Sequence, residues 1–352
     1  MNDVEVDQIK DFISQHGYEY QSFLGKGSYS SVILCQSRKY NKQFAMKRAI
    51  KRQILLQEYS TLISLNHPNI ISLYDSFEDD FYKYLVMDYC PNGTLHEKKR
   101  LPYNKFIVYA KQILEGLSYC HSHNIAHRDI KPENIFLDQY DHVKIGDFGF
   151  AKQFDNNEKS KEKLGSITFL APEMLTFQGV CPFKADIWAL GITFFFMATG
   201  DYPFKSSCRE DLQKLIINGD VNLNKYQVDQ RVRFLINKMT IKDPKNRSTA
   251  EELLRLPIFS PELSKKTLLL SGCSRRNTYS LKFNNMSGLF TNNSSFFEQS
   301  QLKDHNNNND NNNNNEEEKT PIALIDSHCV KSILIYPHIQ KMKSHYLLSK
   351  PN

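Results

Sequence analysis

The spacing of apolar residues changes character once along this chain, and the change divides it. As far as residue 90 they alternate in short runs. "YEYQSFLGKG", "SYSSVILCQS", "KQFAMKRAI", "NIISLYDSF" and "YKYLVMDYC" read as strands separated by turn signals. One interruption, "QILLQEYSTLISLN", spaces Ile54, Leu55, Tyr59, Leu62 and Leu65 as a helix does. From Asn104 the spacing turns helical, with Ile107, Ala110, Ile113, Leu114 and Leu117 on one face. The pattern predicts an α+β chain of two lobes: a small β-rich lobe with one helix, then a larger, mainly helical one. Residues 88–91 join them.

The same reading bounds the folded unit at residues 18–261, with a small lobe at 18–88 and a large one at 92–261. Residues 1–17 read as an extension. Residues 262–352 hold "HNNNNDNNNNNEEEK" and few apolar runs, too little burial to offset chain entropy, so a largely disordered tail is expected. A net charge of +6 over 352 residues is too mild to indicate a nucleic-acid partner. Seven scattered cysteines without metal spacing read as reduced thiols, and the acidic N-terminus lacks a secretory apolar core. A cytoplasmic location follows, with nuclear access left open. The apolar run Ile187–Gly200 is too short for a bilayer and reads as a buried helix, so no membrane span is expected.

Three stretches carry chemistry. "GKGSYSSV" at 25–32 lies between two strands, where glycines let backbone N–H groups approach an anion, though a plain hairpin turn fits as well. Lys47 ends a strand, and Glu58 on the following helix stands where a carboxylate can reach back to it. "AHRDIKPENIF" at 126–136 crowds Asp129, which can accept a hydroxyl proton, with Lys131, which can stabilise a transferring phosphoryl charge. Asn134 and Asp147 offer hard oxygens to a cation such as Mg²⁺.

Taken together, GKGSYSSV, Lys47 in AMK, HRDIKPEN, DFG at 147–149, APE at 171–173, DIWALG at 186–191 and Arg247 in DPKNR resemble the eukaryotic protein kinase family, serine/threonine type. The calmodulin-dependent-type branch is favoured. The resemblance covers about Tyr18 to Pro261 and implies the two-lobed protein kinase fold. It implies that Leu24, Gly25, Gly27, Val32, Ala45, Met87, Asp88, Cys90 and Phe136 surround ATP, Met87 as gatekeeper and Phe136 beneath the adenine. Lys47, paired with Glu58, would hold its phosphates. Asp129 and Lys131 would be catalytic, and Asn134 and Asp147 would hold Mg²⁺. Leu62, Leu73, His127 and Phe148 would stack between the lobes. Asp186, and Glu173 with Arg247, would be scaffold.

Lys131 and Ser166 point to Ser/Thr acceptors in protein substrates, and Glu133 to basic residues upstream of the acceptor, although Thr94 stands where a second acid often does. Ser30 replaces the third glycine. Only eleven positions separate Lys47 from Glu58, which shortens the intervening helix. Glu162 stands where relatives carry a phosphorylated threonine and faces the expected partner Arg128. Ser160 is the nearby modifiable hydroxyl. The tail is a possible regulatory or autoinhibitory contact. The alternative class is a pseudokinase or scaffold that binds nucleotide without transfer.

Overall fold

A helix not foreseen in residues 1–17 opens the chain: α1, Asp3–Gln15. The computed structural model describes residues 3–27, 30–51, 53–155, 158–160, 162, 165–176 and 180–260. Ile9, Phe12, Ile13 and His16 recur at helical spacing, so they share a face. Ile9 and Ile13 are buried against Ile33, Phe44, Met46, Tyr84 and Val86, and the His16 ring stacks on Phe77 at 4.1 Å. Burying each isoleucine is worth about 1.5–3 kcal/mol. The helix therefore shares the core of the first lobe.

That lobe is a five-stranded antiparallel sheet in the order β1-β2-β3-β5-β4. Its strands are β1 (Tyr18–Lys26), β2 (Ser30–Ser37), β3 (Lys42–Ile50), β4 (Leu73–Glu78) and β5 (Tyr82–Asp88). Side chains alternate across the pleat, so the register decides which reach the cleft. Val32 lies opposite Lys47, and Ala45 opposite Met87. These face away from α1, while Met46 and Val86 face it. Between β3 and β4 runs α2 (Gln53–Ser64), which buries Leu62 and Ile63.

The second lobe follows the hinge with α3 (Leu95–Lys98), α4 (Tyr103–Ser122) and the short strands β6 (Ile125–Ala126), β7 (Ile135–Leu137), β8 (Val143–Ile145) and β9 (Lys152–Gln153). Then come α5 (Pro172–Leu175), α6 (Pro182–Thr199), α7 (Arg209–Asn218), α8 (Gln230–Met239) and α9 (Ala250–Leu254). The run read as a buried helix is α6, covered on every side from Ala185 to Ala198. Only glycine fits at 191, where a Cβ would stand 2.7 Å from Thr240 Cγ2 and 3.0 Å from Met239 Cβ. The lobes join through backbone: Ile71 N–H donates to the Ile145 carbonyl and Ile145 N–H to that of Asn69, both at 2.8 Å. Among the described residues no helix is long and apolar enough to cross a membrane.

Candidate active site

The loop from His127 to Asn134 is anchored from below. Asp186, on buried α6, accepts the backbone N–H groups of His127 and Arg128 at 2.8 Å each. Arg128 takes a left-handed backbone with φ 66°, an uncommon conformation for a non-glycine residue, which two carboxylate bonds hold in place. Asp129 then emerges into the cleft only 5% exposed. Lys131 Nζ donates to its Oδ2 at 2.7 Å, and Asn134 Nδ2 donates to the same oxygen at 3.0 Å and to the Asp129 carbonyl at 2.8 Å. A carboxylate fixed by two side chains presents its other oxygen in a defined direction. Lys131 Nζ also lies 3.4 Å from Ser166 Oγ.

Across the cleft, Lys47 Nζ donates to both oxygens of Glu58 at 2.8 Å and to Asp147 Oδ1 at 3.1 Å. Burial alone would lower the ammonium's pKa, but the two carboxylates overcome it and hold Lys47 charged. Burial pushes the Asp147 carboxyl up, and Lys47 more than reverses this, so it stays ionised below its usual range. Burial raises Glu58 against the pull of Lys47. The short α2 thus still delivers Glu58. Gln57 beside it donates to the Ala151 carbonyl at 2.5 Å, tying α2 to the segment after Gly149.

Of the residues expected to stack between the lobes, Leu62, Leu73, His127 and Phe148 are all buried, and the His127 and Phe148 rings meet edge to face at 4.7 Å. Arg247 clasps Glu173 with bonds of 2.7 and 2.9 Å. The ring of Phe136 lies close under Gly146, where a Cβ would come within 2.9 Å of it. At the hinge, burial first and the Asp88 charge second push the Cys90 thiol up to about 12. Gly25 sits beside a register shift in β1 opposite Val32, and Leu24 is exposed. Gly27 N–H donates to the Ser30 carbonyl at 2.8 Å, which closes the glycine turn.

Around the activation segment the outcomes divide. Arg128 Nη1 meets Glu162 Oε2 at 2.5 Å, the partner expected. Ser160, the nearby modifiable hydroxyl, is 9% exposed. Its backbone pairs with Val180, and its Oγ accepts the Glu162 N–H at 3.3 Å. It has a structural job there. Glu133 Oε1 lies 3.6 Å from His96 Nε2. Gly165, at φ 98°, packs where a Cβ would press within 3.0 Å of the Arg128 carbonyl, so it lets the segment approach Asp129. A cleft beside Asp129 is lined by Ser166, Phe169, Leu170 and Met174. The sequence reading missed Gln57, Gly146 and Gly165, and for the two glycines the only signal was the residue type itself. Tail contacts expected from residues 262–352 lie outside the described residues.

The buried carboxylate of Asp129 thus stands at one wall of the cleft and the Lys47–Glu58 pair at the other. Residues 18–259 match the family described as "Protein kinase domain". The chain is 32% identical over 266 residues to "Calcium-dependent protein kinase 4" of Plasmodium berghei, covering 70% of this chain and 50% of that protein. It is 33% identical over 249 residues to "Probable serine/threonine-protein kinase HSL1" of Saccharomyces cerevisiae, covering 68% of this chain and 16% of the relative. With "Serine/threonine-protein kinase PLK4" of Drosophila virilis it shares 30% over 257 residues, 69% of this chain and 33% of the relative. The chain therefore belongs to the protein kinase family. It spans half or less of the length of these curated relatives.

Proposed function

We propose that this chain transfers the γ-phosphate of ATP to serine or threonine hydroxyls of proteins. The observation that carries the reading is Asp129, buried and oriented by Lys131 and Asn134 at the mouth of a cleft whose opposite wall holds the Lys47–Glu58 pair. Lys47 grips phosphate oxygens, and Asp129 takes the proton of the acceptor hydroxyl. Lys131, bonded to Asp129 and close to Ser166, faces the transferring group. Little covalent chemistry falls to the protein, so positioning and electrostatics supply most of the rate.

The donor set also suits Mg²⁺. Asn134 directs its amide N–H groups at Asp129, so its carbonyl oxygen is the group to face a cation beside the Asp147 carboxylate. Among the described residues no three His, Cys, Asp or Glu side chains converge on a point. A two-oxygen site completed by water and phosphate fits Mg²⁺, which rarely takes an all-protein cage. Bound there, the ion would offset the charge of the nucleotide phosphates.

Glu133 supports a preference for a basic residue upstream of the acceptor. The Arg128–Glu162 contact supports activity without phosphorylation of the segment. The scaffold reading drew on the short α2, and the 2.8 Å contact of Glu58 with Lys47 supports transfer over it. The test is transfer from radiolabelled ATP to Ser, Thr and Tyr peptides. Asp129→Asn should lower the rate by about 10²–10⁴-fold. Equal labelling by Asp129→Asn and wild type would overturn the proposal.

A further inference from the structure

We infer that Lys144, on β8 of the large lobe, is a positioning residue for adenine, acting through a clamp with Asp88 and Tyr74 at the hinge. This rests on reading the cleft as an ATP site. Lys144 Nζ lies 3.3 Å from Asp88 Oδ2, and the two side chains are only 15% and 11% exposed. Tyr74 Oη donates to Asp88 Oδ1 at 2.6 Å, and the Ser72 N–H donates to Oδ2 at 3.0 Å. The carboxylate thus takes two donors from the segment leading into and along β4 and one from the opposite lobe. The Asp88 N–H donates in return to the Ser72 carbonyl at 3.2 Å, across the β4–β5 pair.

The placement is what gives this cluster a function. Asp88 and Cys90 are the hinge residues whose backbone groups meet the adenine edge. Lys144 is the β8 residue paired with Phe136 on β7, and Phe136 lies beneath the adenine ring. The ion pair therefore ties the edge of the base site to its floor. A buried ion pair is weak evidence of stabilisation, because desolvation offsets the attraction, but removing one partner leaves the other charge unpaired and frees whatever it held. Beside Lys144, His67 is kept neutral, first by burial and then by the charge of that lysine. Lys42 sits 4.9 Å over the ring of Tyr74, the tyrosine that bonds Asp88.

A clamp on the base predicts a loss confined to ligands that carry one. Binding of ATP and of tripolyphosphate, which has phosphates but no adenine, is measured with the full chain in wild type, Lys144→Met and Lys144→Arg. Lys144→Met should weaken ATP about tenfold and leave tripolyphosphate unchanged, and Lys144→Arg should stay within about twofold of wild type, because it keeps the charge. If Lys144→Met does not fold, Asp88→Asn with Lys144→Met buries no lone charge and carries the same readout. Unchanged ATP affinity, equal weakening of both ligands, or failure of arginine to restore binding would overturn the clamp. In each of those outcomes wild type still binds ATP, so the site reading survives. Wild type binding no ATP would overturn both.

Discussion

His67 shows how a single residue ties the charge pattern of this fold to pH. Burial, then the charge of Lys144, lowers its pKa from the ordinary 6.5 to about 4. A group whose folded pKa is depressed binds its proton more readily when unfolded, so stability rises with pH. The contribution is fully present above about pH 6.5 and is lost as pH falls towards about 4. Because the ring is partly exposed, solvent screening leaves roughly 1–2 kcal/mol of this. Urea unfolding at pH 7 and pH 4.5 should show that loss, and His67→Gln should flatten it. Asp129, Asn134 and Asp147 stood out in the sequence by residue type and by the family motifs they sit in, and the roles proposed for them rest on that resemblance. Asp88 and Lys144 carry no such signature, since only the chain's topology brings hinge and β8 together.

Among the elements, α1 and the activation segment make opposite cases. The face Ile9, Phe12, Ile13 and His16 is visible in the sequence, but its partner face across β2, β3, β4 and β5 is not, so residues 1–17 read as an extension. Ile13 is 0% exposed, and Ile13→Ala should cost about 2–5 kcal/mol in urea unfolding, because a cavity forms in the small lobe's core. A cost below about 0.5 kcal/mol, the range of ordinary surface substitutions, would mean that α1 does not pack there. The activation segment was read more fully. Glu162 reaches Arg128, and Ser160 is buried with its backbone paired to Val180, a contact that no local pattern announces. Glu162 is largely exposed, so its ion pair contributes about 0–1 kcal/mol. Glu162→Ala should therefore lower kcat/KM by about two- to fivefold, and an unchanged value in phosphatase-treated protein would remove Glu162 from the account.

For the whole molecule, the two-lobed division was legible because a change from strand to helical spacing leaves few other layer arrangements. The joint between lobes was not legible. It is made by backbone bonds between residues 69–71 and Ile145 and by side chains distant in sequence. On the proposed function, competence turns on the short α2, which holds Glu58 against Lys47. The most direct measurement is kcat/KM of phosphatase-treated wild type beside Glu58→Gln. The unphosphorylated wild type should transfer phosphate, and Glu58→Gln, which lets Lys47 drift from the phosphates, should fall by about 10²-fold. A wild type silent until its segment is phosphorylated, or a Glu58→Gln variant as fast as wild type, would contradict the account.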